Sequence, residues 1–568
     1  MILKALYDYY QRRGDLPKFG RELKEIGFLL VIDRNGKFLR FEDRRIDNKH
    51  AKAFLVKKSV GKAGIKPIPN LLYDNSAYVF GFPNDDKGKR CRAAFIQKVR
   101  QLHEAAPEDA DLNALVKFYE TGLDEMLAKL KQDPLWSDVE SNLSKKYSNF
   151  SFLIQGDAKI VAEKPELLDL LNDDSDAEEH VCLITGGHGV PVKTTTASSI
   201  KGSQATAKLV SFQKKSGYDS YGKEQGANAP ISEEAEFAYS TALKHMLASD
   251  SRNKFLIGTR TFVFWSSSDG EAGQKAEESL FQMLGFSDDK DDDPDSNIEN
   301  VRAVFKSIYS GELKTSLEDK FFILGLAPNS ARIAVVYWAE IPLKDFARRI
   351  SQHFDDMEIT GARKPYMSLK SILSAVTLGG KSTDATPNLP DAIVKSIFEA
   401  LPYPYTLFAG CIRRIRAEQN IFTTRAAILK AYLNRLNNNN EQTIEIMLDK
   451  ENTNQGYLCG RLFAVLEKIQ EDASNLHTIR DRYLNSASAT PAAVFANILN
   501  LSSHHVEKLN EGRRIFYEKI KQEIISKIDA VGFPAHLELQ DQGRFFVGYY
   551  HQRQDFFTKN DEEKENNK

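Results

Sequence analysis

Four lysines occupy one loop near the start of the chain, and they could bind phosphate. Residues 57–70 read KKSVGKAGIKPIPN, in which two Gly and two Pro interrupt any helical or strand periodicity. The ammonium groups of its four lysines can reach phosphate oxygens. These lysines are Lys57, Lys58, Lys62 and Lys66. Its glycines let the backbone add N–H donors. The pattern predicts a loop that neutralises the backbone of a nucleic acid.

Two asparagines and a tyrosine follow this loop directly. Asn70, Tyr73 and Asn75 belong to the run PNLLYDN. Side-chain amides read base edges, and an aromatic ring can stack or wedge at a base step. We therefore predict Asn70 and Asn75 as candidate base readers. The alternative is that each asparagine caps a turn of the fold.

A second loop, residues 211–230, mixes lysines, tyrosines and amides among glycines. Tyrosines stack on unpaired bases at ~1–3 kcal/mol each, and glycine lets a backbone approach closely. We predict a second nucleic-acid surface here, with candidate residues Lys214, Lys215, Tyr221, Lys223, Gln225 and Asn228. A solvated surface loop with incidental lysines is the alternative.

No motif in the sequence suits catalysis. The histidines form no HD dyad and no HExxH motif, and there is no GxSxG or Cys/His constellation. The segment AVTLGGKS approaches a phosphate-binding loop, but Ala375 stands where the first glycine is required. The residues before it have helical rather than strand periodicity. The sequence therefore predicts a binding protein that is not an enzyme and uses no metal or other cofactor.

Charge is distributed unevenly along the chain. The 568 residues contain 77 Lys and Arg against 79 Asp and Glu, a net charge of −2. Residues 1–100 alone contain 23 basic and 11 acidic residues, which gives +12 there and −14 over the remainder. This asymmetry is expected where one region meets a polyanion that the others must not attract. The alternative is a solvated basic surface.

Composition indicates a globular protein of the cytoplasm. Apolar residues make up 42% and charged residues 27%, and no run approaches the ~18 apolar residues of a membrane helix. The first thirteen residues lack the apolar core and cleavage site of a secretory signal. Four cysteines lie far apart without a CxxC pair, which predicts buried, reduced thiols.

The elements that position these loops predict an α+β fold. Two apolar runs flank Arg34-Asn35-Gly36, and Asn-Gly supplies the backbone conformation of a tight hairpin. A second hairpin is predicted from the apolar runs at 321–326 and 332–338. From residue 389 onward the periodicity is almost wholly helical, which predicts a C-terminal all-α bundle after a mixed N-terminal region.

An acidic segment suggests where the domains divide. Residues 287–297 read SDDKDDDPDSN, a composition typical of a linker or exposed loop. We predict an N-terminal α+β domain at 1–286 that carries both nucleic-acid-binding loops, a connecting region at 287–388 and a helical bundle at 389–568.

Several multi-residue motifs occur in an order that resembles a known family. They are MILKALYDYY at 1–10, IGFLLVID at 26–33, IKP at 65–67, PNLL at 69–72, CLITG at 182–186, SYGKEQ at 220–225, LGLAPN at 324–329 and GRLFAVLE at 460–467. With these motifs, the chain resembles the large subunit of the type I-C CRISPR Cascade, a crRNA-guided surveillance complex. The resemblance covers essentially the whole chain and rests on the combination of motifs.

The resemblance implies a non-catalytic subunit of an RNA-guided antiviral complex. Such a subunit recognises the protospacer-adjacent motif (PAM) in duplex DNA and promotes strand separation and R-loop formation, while guide pairing reads ~20 base pairs. The implied partners are guide crRNA, target double-stranded DNA, the backbone, crRNA-processing and small subunits of Cascade, and a helicase-nuclease effector. The alternatives are a structural scaffold of a guide RNA–protein assembly without direct PAM reading, and an undetected nuclease.

The resemblance also implies small subunits that are similar to the C-terminal bundle and are translated from a start inside the same coding sequence. Met447 is the candidate start, because it follows the asparagine run 437–440 and precedes a predicted helix. It would release residues 447–568 as a separate helical product. The alternative is an ordinary core methionine beside Ile444 and Ile446.

Overall fold

The chain divides into two compact units. The computed structural model describes residues 2–47, 50–60, 67–144, 148–168, 170, 178–213, 219, 221–284, 298–362, 367–436, 442–476 and 478–565. The N-terminal unit comprises Leu6–Thr196 and Phe212–Ala242. The C-terminal unit comprises Ala197–Ser211, Leu243–Lys568 and the first five residues. The α+β class predicted from the sequence is confirmed.

The first part of the chain mixes short strands with helices. In chain order the elements are α1 (Ile2–Arg12), β1 (Arg21–Glu25), β2 (Phe28–Ile32), β3 (Phe38–Asp43), β4 (Ala53–Lys57), β5 (Tyr73–Asn75), α2 (Ser76–Val79), α3 (Asp86–Ala105), α4 (Ala110–Glu120), α5 (Leu123–Leu130), α6 (Trp136–Leu143), β6 (Asn149–Ile154), α7 (Pro165–Leu168), β7 (His180–Val181) and β8 (His188–Gly189).

A four-stranded sheet in the order β3-β2-β6-β5 carries the core of the N-terminal unit. Strand β2 reads FLLVI and every residue is buried, as expected of an inner strand. The predicted Asn-Gly hairpin is confirmed as β2 and β3. Asp33 Oδ1 accepts hydrogen bonds from the N–H groups of Asn35 and Lys37 at 2.8 and 2.9 Å, and Gly36 has φ +78°. A second, two-stranded sheet pairs β1 with β4.

Helices dominate the rest of the chain. The elements are α8 (Glu233–Leu247), β9 (Lys254–Ile257), β10 (Arg260–Ser266), α9 (Glu271–Leu284), α10 (Ile298–Ser310), β11 (Lys320–Asn329), β12 (Arg332–Pro342), α11 (Leu343–Met357), α12 (Leu369–Ala375), α13 (Leu389–Glu399), α14 (Tyr405–Glu418), α15 (Thr423–Leu436), α16 (Gln455–Ser474), α17 (Thr478–Ala489), α18 (Pro491–Val506), α19 (Glu511–Ile525) and α20 (Leu539–Glu565).

The division into units differs from the boundaries predicted at residues 287 and 389. The predicted second hairpin is present as β11 and β12, and β11 pairs with β10 in one sheet of order β12-β11-β10-β9. That sheet joins segments on both sides of the acidic run, which itself lies outside the described residues. The rings of Phe346 in α11 and Phe398 in α13 are 5.7 Å apart, so a shared core crosses residue 389. Strand pairing and packing therefore join segments that composition separates.

Helices α16 and α20 pack backbone against backbone in the C-terminal unit. A Cβ atom added to Gly460 would lie 1.9 Å from the carbonyl oxygen of Phe545, and one added to Gly548 would lie 2.3 Å from that of Tyr457. Only glycine permits this approach. Beside it, the fully buried Arg461 donates to Gln552 Oε1 at 3.1 Å and to both oxygens of Glu523 at 3.1 and 3.2 Å. One guanidinium thus connects α16, α19 and α20.

The structure also bears on cysteine pairing, metal binding, membrane insertion and the segment that approaches a phosphate-binding loop. All four cysteines are free and buried, as predicted. In the described ranges, no three His, Cys, Asp or Glu side chains lie together as metal ligands would, and no helix combines the length and apolarity needed to cross a bilayer. Leu378–Gly380 is a single 3₁₀ turn that follows helix α12 rather than a strand, unlike a phosphate-binding loop.

Candidate nucleic-acid interface

The lysine loop begins at the end of strand β4. Lys57 is the last residue of β4 and lies opposite Arg21 of β1. Its carbonyl oxygen accepts a hydrogen bond from the Tyr73 hydroxyl at 3.1 Å, and the N–H of Lys58 donates to the carbonyl of Gly20 at 2.8 Å. The first two lysines of the loop are therefore held on a sheet edge by their backbone.

A hydrogen bond closes the base of the loop. The N–H of Val60 donates to Asn70 Oδ1 at 3.0 Å, and the N–H of Asn70 donates to Asp74 Oδ2 at 2.8 Å. Asn70 is only 5% exposed. Lys62 and Lys66 belong to residues 61–66, which lie outside the described residues. The two ends of the loop, at Val60 and Asn70, are therefore hydrogen-bonded to each other.

The two asparagines predicted to read bases have their amide oxygens engaged within the fold. Asn70 Oδ1 closes the loop, and Asn75 Oδ1 accepts from the N–H of Ala77 at 3.0 Å and caps helix α2. Both amide oxygens thus accept hydrogen bonds from backbone N–H groups, which is the capping role named as the alternative. The reason is that a loop base and a helix start each leave a backbone N–H without an intrahelical or strand partner.

Lys58 forms an ion pair with Glu236, which was not among the residues predicted from the sequence. Its Nζ lies 3.7 Å from Oε2 of Glu236 and 5.4 Å from the centre of the Phe237 ring. Glu236 is 2% exposed and also accepts from the N–H and hydroxyl of Thr196. This pair links the end of β4 to the first turn of α8, directly after the second loop. Three glutamates occur in that turn, and nothing in the sequence singles out the buried one.

The second loop presents one fully exposed tyrosine on a constrained turn. Tyr221 is 101% exposed and has φ +52°, a left-handed conformation that a bulky residue rarely adopts. Asn228 Nδ2 donates to the carbonyls of Lys223 and Gln225, both at 3.1 Å, and the N–H of Gln225 donates to Asp219 Oδ1 at 3.2 Å. Lys223 is exposed.

Tight backbone packing fixes this turn in place. A Cβ atom on Gly226 would lie 1.8 Å from the carbonyl oxygen of Val192. Lys214 and Lys215 lie outside the described residues. The described candidates of the second loop therefore share one fixed turn at 221–228, with Tyr221 and Lys223 exposed and the amide of Asn228 bonded within it.

The comparisons with known proteins decide the family. Residues 6–557 match the family model Cas_Csd1, described as CRISPR-associated protein. The chain belongs to the Cas_Csd1 family. This confirms the resemblance stated from the motifs, and it makes the protein a CRISPR-associated Cascade subunit. A comparison with curated proteins finds no match.

The candidate internal start of this Cas_Csd1 protein lies on the surface. Met447 is 64% exposed and Ile446 is 39% exposed, whereas Ile444 is 3% exposed. Met447 is therefore not the core methionine of the alternative interpretation. It is also the last methionine of the chain. Downstream of it, α16 and α20 contact each other through the Phe463 and Phe545 rings at 5.8 Å and through a 2.9 Å bond between Tyr457 and His551.

Proposed function

We propose that this chain is the non-catalytic large subunit of a type I-C Cascade complex in the cytoplasm. In this proposal it recognises the PAM in duplex DNA, promotes strand separation and R-loop formation, and supports recruitment of a helicase-nuclease. Guide crRNA and the other Cascade subunits are its partners in the particle. The observation that carries the proposal is the lysine loop that leaves a sheet edge between Lys57 and Asn70 and is closed at its base.

The closed base suits the loop to bind a duplex. Because Val60 and Asn70 are bonded, the two ends of the loop are already held together before DNA binds, so this part of the entropy cost is not paid on binding. Lys57, Lys58, Lys62 and Lys66 would contact phosphates in this proposal. Asn70 and Asn75 would hold the loop in shape, since their amide oxygens are bonded within the fold.

The second loop is proposed to hold DNA beside the opened junction. An unpaired base can stack on Tyr221, whose side chain is fully exposed, and such stacking contributes ~1–3 kcal/mol. Lys214, Lys215 and Lys223 would neutralise the adjoining phosphates. Gln225 and Asn228 would contact the strand from the turn that they help to form.

Replacing the four loop lysines with alanine is expected to weaken duplex-DNA capture and reduce its salt dependence. Each phosphate contact contributes about 0.9 to the slope of log affinity against log salt concentration, so losing four should lower that slope by roughly 3 to 4. Fluorescence anisotropy with a labelled duplex, at several salt concentrations, measures it. The matched control replaces Lys18, Lys117, Lys131 and Lys159, four exposed lysines of the same unit.

The outcomes separate the candidate functions. Loss of duplex binding by the loop variant alone, with assembly on guide RNA intact, supports DNA recognition. Unchanged duplex binding would favour the structural scaffold. Metal-dependent cleavage of DNA by the purified chain would contradict the non-catalytic assignment.

We also propose that translation starting at Met447 releases residues 447–568 as a small subunit. Replacing Met447 with leucine is expected to abolish a short C-terminal product and leave the full chain intact, because this exposed side chain is not needed for packing. Immunoblotting of a C-terminal tag detects both products. Met367→Leu, which changes an upstream methionine, is the control and should leave the short product in place. Persistence of the product in Met447→Leu would refute the proposal.

A further inference from the structure

Helix α3 bears a strongly basic exposed face outside both loops. Its sequence, DKGKRCRAAFIQKVRQLHEA, carries acids only near its two ends, at Asp86 and Glu104. Besides the half-buried Arg92, which lies over the Tyr119 ring, five cations lie on the exposed and half-buried side, at Lys87, Lys89, Arg90, Lys98 and Arg100. In the part of the chain that the structure describes, none of the five pairs with an acidic side chain. The opposite side is buried through Cys91, Phe95, Val99 and Leu102.

The cations form two rows along the helix. Lys87 and Lys98 are eleven residues apart, as are Lys89 and Arg100, and eleven residues are close to three turns. Each pair is therefore aligned with the helix axis, about 16 Å apart. At 100° per residue, the two rows lie about 160° apart, one along each edge of the exposed side. The exposed surface between them carries Arg90, Ala93, Ala94, Gln97 and Gln101 along its middle, and the two acids, Asp86 and Glu104, at its ends.

We infer that α3 lies in the major groove of duplex DNA, with one row of cations toward each phosphate backbone. A helix is about 10–12 Å across and the major groove about 12 Å wide, so cations on both borders meet the two strands. Ala93 lets the helix approach the groove floor, where Gln97 and Gln101 meet base edges. This inference names a further DNA contact of the proposed function and rests on it.

Two features favour duplex DNA over RNA as the partner. An A-form RNA helix has a deep, narrow major groove that side chains do not read, so a helix with two cationic borders does not fit it. Single-stranded RNA is bound through exposed aromatic rings. Phe95 is the one aromatic residue of α3, and it is 1% exposed.

The start of α3 is fixed on the fold. A Cβ atom on Gly88 would lie 2.1 Å from the carbonyl oxygen of Pro83 and 2.4 Å from that of Gly81. Asp85 Oδ1 caps the helix by accepting from the N–H of Gly88 at 2.7 Å. The rows of cations are therefore presented on a rigid element, which lowers the entropy lost on binding.

Two variants of the full chain test the inference by anisotropy on a DNA duplex, an RNA duplex of the same sequence and single-stranded RNA. Neutralising the five cations with alanine should lower the DNA salt slope by roughly 4 to 5. Ala93→Trp, an exposed change that leaves every charge in place, should weaken DNA binding at least tenfold by blocking the groove. The control neutralises five exposed lysines of the C-terminal unit, Lys306, Lys314, Lys344, Lys370 and Lys395.

Each result has a distinct meaning. DNA-selective loss in both variants, with circular dichroism and control binding unchanged, supports groove binding. Normal DNA binding by Ala93→Trp, an equal loss in the control, or an equal loss on either RNA overturns it. If the loop-lysine variant loses DNA while both α3 variants keep it, the inference fails and the proposed function stands. A wild-type chain that binds no duplex overturns both.

Discussion

Replacing Arg461 with alanine is expected to lower the free energy of unfolding of the C-terminal unit by about 3–5 kcal/mol. The guanidinium is fully buried and bonds Gln552 and Glu523, so its removal leaves a cavity and a buried amide oxygen without its donor. Urea unfolding of the full chain, followed by circular dichroism at 222 nm, gives the free energy.

Two further substitutions separate charge from packing at this position. Arg461→Met should cost less than Arg461→Ala, because methionine refills the volume and Glu523, 31% exposed, stays hydrated. Arg482→Ala removes an exposed arginine from the neighbouring helix α17 and should change stability by less than about 0.5 kcal/mol. Equal losses in Arg461→Ala and Arg482→Ala would show that the buried network is not what stabilises these helices.

Gly460→Ala is expected to destabilise the same unit by about 2–3 kcal/mol, although alanine is the better helix former. The added methyl group would lie 1.9 Å from the carbonyl oxygen of Phe545 and 2.9 Å from the backbone nitrogen of Tyr549. Both are backbone atoms, so relief requires the two helices to move apart along their contact. The same urea unfolding measures the loss.

Gly512→Ala is the matched control for this substitution. Gly512 lies in the exposed start of α19, and a Cβ atom there meets nothing closer than 3.8 Å. Its replacement should be neutral or stabilise by up to about 1 kcal/mol through helix propensity alone. Similar behaviour of the two alanine variants would contradict the close-packing explanation.

Elements with a strong local signal could be predicted from the sequence. Asn35-Gly36 favours a tight hairpin turn, and the structure contains that turn between β2 and β3. The hairpin of β11 and β12 and the C-terminal helices follow from apolar periodicity. Helix α17 (Thr478–Ala489) has a weaker local signal, because Arg, Asp, Asn and Ser fill half of it and leave a weak apolar stripe.

The candidate site depends more on contacts between distant segments. The amide of Asn70 is bonded to a backbone ten residues away, and Lys58 pairs with Glu236, far along the chain. Neither contact can be predicted from the sequence pattern around the residues that make it. The basic face of α3 had a signal in the sequence, namely the eleven-residue spacing of its cations, but it becomes visible only when the residues are projected onto a helix.

The bond between Val60 and Asn70 makes the lysine loop a separable module. Because the bond joins the two ends, the β-sheet does not depend on what lies between them, and doubling the length of a flexible insert costs only about 0.6 kcal/mol. The interior of the loop can therefore diverge in length and residue type while the scaffold that presents it stays unchanged. Under the proposed function, such changes would alter the number of phosphate contacts, and hence the affinity for DNA, without altering which sequence is read.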